Sequence, residues 1–315
     1  MSMDRKRFLK LIGVSAVAAG LPGCGPGAGG GTSGGSRLPR RMREPVQLPG
    51  AKMAVVKGAG PEAITRRAIE ELGGIGMFVS KGDKVLVKPN IGWDRVPAQA
   101  ATTNPEVLAA VVKLCFEAGA GQVLVLDNTI SDSRRCYVRS GIKKAAEELG
   151  AQALYLEDYN FRSVNVGGEL IREWPVYKDA LEVDRIINVP IAKHHSLSRL
   201  SIGMKNFYGL MGGRRNQLHQ DVHLSIAEMT AFFAPTLTVV DAVRILTANG
   251  PSGGSLADVK QCDTVIASVD PVAADARAAG LFGIDPAEIR YLVIGSQMGL
   301  GSLDPATVET REIQL

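Results

Sequence analysis

The sequence has little cysteine, and its cysteines lack the spacing of metal ligands. Four occur among 315 residues, Cys24, Cys115, Cys136 and Cys262, and none forms a Cys-x-x-Cys pair. Iron–sulfur clusters and structural zinc sites need closely spaced thiolates. No iron–sulfur cluster is therefore expected. Cys115 falls in an apolar helical pattern, which predicts a core position.

The body of the chain also lacks an excess of charge of one sign. The formal net charge is +4, but Arg5, Lys6, Arg7 and Lys10 against Asp4 give the first 23 residues +3. The remainder is therefore about +1. A nucleic-acid-binding domain carries a basic patch or stripe, so nucleic acid is not an expected partner.

The N-terminal apolar run is too short to span a membrane. Residues 11–21 are about half of what a membrane-spanning helix needs, and a charged segment followed by such a run is typical of a targeting signal. Arg5 to Lys10 resembles the twin-arginine signal, Ser/Thr-Arg-Arg-x-Phe-Leu-Lys, but departs from it at Asp4 and Lys6. We expect the twin-arginine translocase as a partner, with general secretion as the alternative.

A lipoprotein-type processing box follows the apolar run. Leu21-Pro22-Gly23-Cys24 predicts a lipid on Cys24 and an extracytoplasmic, periplasmic location at the membrane. The alternative is a cleaved signal in which Cys24 is incidental. The next residues, 25–36, are almost all Gly with Pro, Ala, Ser and Thr, a composition typical of a flexible tether. The predicted division is 1–24 export signal, 25–50 tether and linker, and 51–315 one domain.

The body alternates β-branched runs with helical patterns and has no internal repeat. Strands are predicted at 53–57, 84–88, 122–127, 185–189, 236–240 and 264–269. Helical stretches are predicted at 61–72, 105–117, 141–149, 225–233, 271–281 and 286–295. This alternation predicts an α/β fold with a mostly parallel sheet covered by helices. Residues 151–184 are less regular, which predicts an antiparallel excursion or a small subdomain.

Polar residues follow most of these strands. Ligands of open α/β sheets bind beyond the carboxyl ends of the strands, so these residues are candidate ligand contacts: Lys88, Asn90, Asp127, Asn128, Lys193, His194, His195, Asp241 and Asp270. Loops are polar in any protein, and Asp270 before Pro271 also suits a helix N-cap. Trp93 is expected to cover this rim as a partly buried loop aromatic.

All four histidines lie between positions 194 and 223. His219 and His223 are four apart, so on one helix they would share a face and could bind a divalent metal. Surface histidines also occur at this spacing by chance. His194, His195 or His219 is a candidate general acid or base, because histidine titrates near neutrality.

A glycine-rich, basic segment separates the two histidine pairs. Residues 203–215 contain four glycines, with Lys205, Asn206, Arg214 and Arg215 as candidate contacts for phosphate or carboxylate. Lys205 is also a candidate catalytic residue. The segment matches neither the P-loop nor the dinucleotide fingerprint, and a turn with solvated cations is the simpler interpretation.

Together these motifs resemble the family known as domain of unknown function 362 (DUF362) over about residues 51–302. The matching segments are 87–90, 103–106, 193–195, 204–209, 240–242, 249–251, 270–275 and 299–301. The resemblance implies an exported protein of unknown activity. Other members carry ferredoxin-like modules, which this chain lacks. The His pair and Lys205 also resemble the nickel-pincer lactate racemase group, which implies a nucleotide-derived cofactor.

Three functions remain open from the sequence. The first is an enzyme acting on a small anionic substrate or nucleotide-like cofactor, with Lys88 and Lys205 binding anionic groups and Asp241 or Asp270 orienting a histidine or a metal. The second is an envelope binding or assembly (maturation) protein that uses the same cleft without turnover. The third is a lipid-tethered structural module.

Overall fold

The computed structural model describes residues 42–315, so the predicted export signal, Cys24 and most of the tether lie outside the described residues. Residues 42–50 are the end of the predicted tether and linker, and Met42 and Arg43 in this segment contact the domain. The Met42 amide donates to the Phe232 carbonyl at 2.9 Å, and Arg43 donates to the Val183 carbonyl at 2.6 Å. A backbone hydrogen bond and a guanidinium thus attach the segment to the domain.

Strands and helices alternate along the described residues. The strands are β1 Met53–Lys57, β2 Lys84–Pro89, β3 Gln122–Leu126, β4 Gln152–Leu154, β5 Phe161–Asn165, β6 Glu173–Tyr177, β7 Arg185–Val189, β8 Ile191–His195, β9 Arg199–Ser201, β10 Leu237–Leu246, β11 Val259–Ser268 and β12 Thr310–Gln314. The α-helices are α1 Pro61–Glu70, α2 Pro105–Glu117, α3 Ser133–Arg139, α4 Ile142–Glu147, α5 Lys178–Leu181, α6 Val222–Phe233, α7 Pro271–Ala279 and α8 Arg290–Gln297. Two 3-10 segments, Met204–Leu210 and Arg215–Asp221, precede α6.

The main sheet is mixed but mostly parallel, which confirms the predicted α/β class. Its order is β12-β1-β11-β10-β7-β2-β3-β4, with β8 paired to β10 and β9 to β8. The pairs β10–β7, β7–β2, β2–β3 and β3–β4 are parallel, whereas β11 runs antiparallel to both β1 and β10. The carboxyl end of β11 therefore lies at the opposite edge of the sheet from the carboxyl ends of β2 and β3.

Side-chain alternation along the strands produces a core on each face of the sheet. In β2, Val85 and Val87 pack with the core under α1 and α2, whereas Leu86 packs with the core under α6 and α7. A strand buried on both faces needs apolar residues at successive positions, as β2 has. No helix among residues 42–315 has the length and apolarity to cross a membrane.

Polar side chains directly before a proline cap the starts of α2 and α7. Asn104 accepts a hydrogen bond from the Glu106 amide at 3.0 Å, and Pro105 is the first residue of α2. Asp270 accepts from the Ala273 amide at 2.8 Å at the start of α7. Because the first amides of a helix lack partners within it, these side chains stabilise both helix starts.

The irregular stretch 151–184 contains an antiparallel hairpin of β5 and β6 beside the main sheet, as predicted. The loop of this hairpin is attached to α6 by Glu228, which is 1% exposed. Its carboxylate accepts hydrogen bonds from the amides of Glu169, Leu170 and Ile171 at 2.6, 3.0 and 2.8 Å.

Candidate functional site

A cavity of about 490 Å³ lies beyond the carboxyl ends of β2 and β3. Asn90 follows β2, and Asp127 and Asn128 follow β3; all three side chains line the cavity. Parallel neighbouring strands end at the same edge of a sheet, so their first loop residues meet there. These three residues were predicted from the sequence as ligand contacts.

Another wall of the cavity is formed by β8, the strand that directly follows β7 in the chain. Side chains of a strand alternate between faces, and here Lys193 and His195 face the cavity. His194 points away from it, and its Nδ1 accepts a hydrogen bond from the Gly250 amide at 3.1 Å. The two adjacent histidines therefore have different surroundings.

The 3-10 segment Met204–Leu210 supplies Lys205, Asn206 and Tyr208 to the cavity. Its start is held by the buried carboxylate of Asp275, which accepts from the Gly203 and Met204 amides at 2.8 and 3.1 Å. Because the backbone is fixed in this way, the Lys205 ammonium stands 3.9 Å from the centroid of the Tyr208 ring.

A buried ion pair supports the cavity from behind. Lys88 is fully buried, and its ammonium donates to Asp127 Oδ1 at 2.8 Å and to the Pro89 carbonyl at 2.5 Å. The second oxygen of Asp127 accepts from the Ile91 amide at 2.5 Å. Lys88 thus holds the cavity-lining carboxylate instead of facing the cavity itself.

Asparagines extend this network beneath the cavity. Asn206 Nδ2 donates to the Lys88 carbonyl and to Asn188 Oδ1, both at 2.9 Å. Asn90 Oδ1 accepts from Lys193 at 3.0 Å, and its Nδ2 donates to Asn206 Oδ1 at 3.3 Å. The side-chain amides of Asn90 and Asn206 therefore connect Lys88 to Lys193 and fix the positions of both cations.

The cavity has a surplus of cationic groups. Lys193, Lys205 and Arg215 line it, and Asp127 is the one carboxylate among its described lining residues. We call it the cationic cavity. Burial lowers the pKa of Lys193 and of Lys205 to about 7, and the pKa of Arg215 is also lowered by burial. The neighbouring cations Lys88 and Lys205 lower the pKa of Lys193 further. An anion in this cavity would stabilise the charged forms of these groups.

His195 is neutral in this environment. Burial, followed by the positive charge of Lys205, lowers its pKa to about 3. Its Nδ1 accepts from the Leu197 amide at 3.1 Å, so the ring proton is assigned to Nε2. At neutral pH His195 therefore offers an N–H donor and has no second proton to give.

His219 and His223, predicted as a metal-binding pair, belong to different elements. His219 is in the 3-10 segment Arg215–Asp221, lines the cationic cavity and stacks on Tyr208 with centroids 5.8 Å apart. His223 is in α6 and stacks on Tyr291 at 6.5 Å. The helix begins between them, because Asp221 caps it through the His223 and Leu224 amides.

Three further candidates lie away from the cationic cavity. Asp241 lies within β10, which ends at Leu246 and so continues past the predicted end of the strand at 240, and it accepts from the Asn104 amide at 2.7 Å. Asp270 caps α7 at the opposite edge of the sheet because β11 is antiparallel. Arg214 is exposed and does not line the cavity, although the adjacent Arg215 does.

A divalent metal does not fit the described residues. Residues 42–315 contain no group of three His, Cys, Asp or Glu side chains that could hold one. In the cationic cavity the Asp127 carboxylate is already bound by Lys88, and the surrounding ammonium and guanidinium groups repel a cation. The phosphate of a nucleotide-derived cofactor is an anion, so it suits the charge of the cavity.

The glycines of residues 203–213 make room for protein side chains. A β-carbon at Gly203 would lie 2.8 Å from Asp275 Oδ1, and one at Gly212 would lie 2.5 Å from the Phe161 ring. The structure shows that these glycines allow close approach of Asp275 and Phe161 to this segment.

The sequence identified Lys193 and did not identify Tyr208. Lys193 was among the polar residues that follow the strands, and the alternation of β8 places it on the same face as His195. Nothing in the sequence indicated that Tyr208 lines the cavity, because a tyrosine in a glycine-rich segment does not show that an ammonium lies beside it. Trp93 lines the cavity and is partly buried, as the sequence analysis expected.

The motifs converge on this cavity, and comparison with known proteins gives their family. Residues 85–280 match the model of the family described as Domain of unknown function (DUF362). The chain belongs to the DUF362 family. A relative of this DUF362 chain, the thylakoid-associated protein of Synechocystis sp., is 30% identical over 252 residues, covering 76% of this chain and 75% of the relative.

Two solved structures resemble this DUF362 protein. One is the lactate racemase apoprotein from Thermoanaerobacterium thermosaccharolyticum, at 13% identity and a TM-score of 0.44, covering 81% of this chain and 62% of that chain. The other is a protein from Thermotoga maritima, at 13% identity and a TM-score of 0.40, covering 70% and 59%. The chain spans less than two thirds of either protein's length.

Proposed function

We propose that this DUF362 protein binds a small organic anion in the cationic cavity. The observation that carries the proposal is the ammonium of Lys205. It is 7% exposed, faces the cavity and contacts the Tyr208 ring, and no carboxylate of the described residues pairs with it. A buried charge without a partner is costly, and an anionic ligand would supply the partner.

The neighbouring groups suit the same ligand. Arg215 is held by the carbonyls of Asn128 and Thr129 at 2.8 and 3.0 Å, so its guanidinium is fixed before the ligand arrives. The ligand would also meet the N–H donor of His195 and the apolar side chains of Trp93, Leu197 and Pro251 at the wall. Cations, a neutral donor and apolar surface together favour a carboxylate or phosphate attached to a small carbon skeleton.

Thermal unfolding of the full chain with inorganic phosphate and with pyruvate tests this function. Binding to the folded state alone adds about 2.7 kcal/mol of stability when the ligand concentration is 100 times its Kd. We expect at least one probe to raise the Tm of the wild type and of Lys113→Met, an exposed-site control. Lys205→Met should lose the effect. An equal shift in Lys205→Met, or no shift in any protein, would contradict the proposal.

Within this function, acid–base catalysis on the bound anion is the first hypothesis. The alternative is an envelope binding or maturation protein without turnover. One observation favours the alternative: both oxygens of the single carboxylate among the described lining residues, Asp127, already accept hydrogen bonds, from Lys88 and from the Ile91 amide. Product formation in a substrate screen, lost in Lys205→Met, would support catalysis; binding without product would support the alternative.

We further propose that the protein acts outside the cytoplasm, exported by its N-terminal signal and attached to the membrane by a lipid on Cys24. The charged segment, the short apolar run and the cysteine support this location. The name of the Synechocystis relative, a thylakoid-associated protein, also suits attachment to a membrane. Labelling of cells with a fatty acid should mark the wild type and not Cys24→Ala, which should be released into the soluble envelope fraction.

A further inference from the structure

Lys205 differs from the other buried lysines in having a free side-chain terminus. Lys88 is paired with Asp127, and Lys193 donates to the Ala101 carbonyl at 2.7 Å and to Asn90 at 3.0 Å. Among the described residues the Lys205 ammonium has no such acceptor and contacts the Tyr208 ring. The acceptors stabilise the charged forms of Lys88 and Lys193, whereas Lys205 is able to lose a proton without breaking a hydrogen bond.

The surroundings of Lys205 favour its neutral amine. Burial and the nearby positive charge of Arg215 lower the pKa of Lys205 to about 7. Before an anion binds, the neutral amine with its free lone pair is therefore accessible near neutral pH. A desolvated lysine beside another cation is the known arrangement for an amine nucleophile.

The cationic cavity also contains groups that can bind a carbonyl compound next to this amine. A ligand carboxylate can pair with Arg215 or Lys193, which line the same cavity as Lys205. His195 presents its N–H into this space, where it can donate to a carbonyl oxygen. The 3-10 segment that carries Lys205 is fixed by Asp275, so the amine is positioned before the ligand binds.

We propose that Lys205 forms an imine with the carbonyl carbon of a small oxo acid bound in the cationic cavity. This inference rests on the proposed anion-binding function and names the class of ligand. The neutral Nζ attacks the carbonyl carbon, the N–C bond forms, and one amine hydrogen passes to the carbonyl oxygen. The C–O bond then breaks, and the hydroxyl leaves with the second amine hydrogen as water, so that the reaction needs no oxidant or reductant.

Reductive trapping of the full chain tests this reaction. The protein is incubated near pH 7 with pyruvate and sodium cyanoborohydride, which reduces an imine to a stable amine. Each adduct adds the mass of pyruvic acid less one oxygen atom. We expect one adduct, located by peptide mapping at Lys205 and formed at least about tenfold faster than at Lys113, an exposed lysine paired with Glu62 outside the cavity.

The Tm shift of the wild type reports anion binding separately from the adduct. We expect Lys205→Arg to give no adduct, because arginine cannot form the imine. A Tm shift in the wild type without an adduct would overturn the imine and leave anion binding intact. The absence of an adduct, together with no Tm shift by either pyruvate or phosphate, would overturn both. An adduct at Lys193, or equal labelling of Lys113, would also overturn the assignment to Lys205.

Discussion

Gly209 packs directly against the carboxylate of Asp127. A β-carbon at position 209 would lie 1.6 Å from Asp127 Oδ1 and 2.8 Å from Lys88 Nζ. The Gly209 carbonyl also accepts a hydrogen bond from the Asn128 amide at 2.7 Å. The 3-10 segment that carries Lys205 therefore closes over the end of β3 because residue 209 has no side chain.

Gly209→Ala should be strongly destabilising for this reason. The methyl group must displace either the backbone or a buried ion pair, and overpacking of a well-packed core costs about 1–3 kcal/mol. We expect a loss of at least about 2 kcal/mol in the free energy of unfolding, measured by urea denaturation, because the obstructing groups are charged and buried. Gly76→Ala is the control, since nothing lies within 4 Å of a β-carbon at that position. Equal effects of the two substitutions would contradict this packing.

Lys205 should make the stability of the protein depend on pH. The folded protein releases its proton near pH 7, whereas the unfolded chain holds it up to the ordinary pKa of 10.5. Between these values the unfolded state binds more protons, so the contribution of Lys205 to stability increases as pH rises. Between about pH 7 and pH 9 the free energy of unfolding should rise more steeply in the wild type than in Lys205→Met.

The size of this difference has an upper bound. One proton changes the free energy by at most about 1.4 kcal/mol per pH unit. Urea denaturation in a buffer without phosphate or carboxylate measures both slopes, because an anion in the cavity would raise the pKa of Lys205 again. Lys113→Met should have the slope of the wild type. Identical slopes in wild type and Lys205→Met would show that Lys205 keeps an ordinary pKa.

The regular part of the fold was predictable from the sequence because local signals agree there. The strands at 53–57 and 185–189 and the helix at 105–117 have the predicted bounds. In each case an apolar run is bounded by glycine, proline or polar residues. The C-terminal strand β12 was not predicted, because its sequence, Thr-Arg-Glu-Ile-Gln, is mostly polar. It forms by parallel pairing with β1, a tertiary contact that leaves no local pattern.

The sequence identified the site residues whose position depends only on where a strand ends. It failed for a residue whose position depends on the direction of its strand in the sheet. Asn90 and Asp127 were identified because parallel β2 and β3 end at the same edge. Asp270 looked equivalent, but the direction of β11 depends on its pairing with β10, which the sequence does not reveal. His219 and His223 have separate surroundings because α6 starts between them, after Asp221. Apolar spacing alone did not indicate this helix start.

Glu228 should control the order of the β5–β6 hairpin loop. Its carboxylate accepts three backbone hydrogen bonds from residues 169–171. Glu228→Ala leaves these donors without a partner, and each unsatisfied buried group costs about 1–3 kcal/mol. We expect faster hydrogen exchange of the amides at 169–171 and a lower Tm.

An exposed glutamate provides the control for this substitution. Glu117→Ala removes a surface ion pair with Arg66, and such pairs contribute about 0–1 kcal/mol. It should leave hydrogen exchange at 169–171 unchanged. Unchanged exchange in Glu228→Ala as well would mean that the loop is held by other contacts.

His194 and His195 should respond differently to substitution although they are adjacent. His194 accepts from the Gly250 amide and does not line the cavity, so His194→Ala should lower the Tm and leave the phosphate-induced or pyruvate-induced shift unchanged. His195→Asn retains an acceptor for the Leu197 amide and removes the ring N–H that faces the cavity. It should keep the Tm and weaken binding of the probe about fivefold, the effect of losing roughly 1 kcal/mol. Equal loss of binding in both variants would contradict the opposite orientation of the two rings, and loss in His194→Ala alone would move the binding site to the Gly250 side of β8.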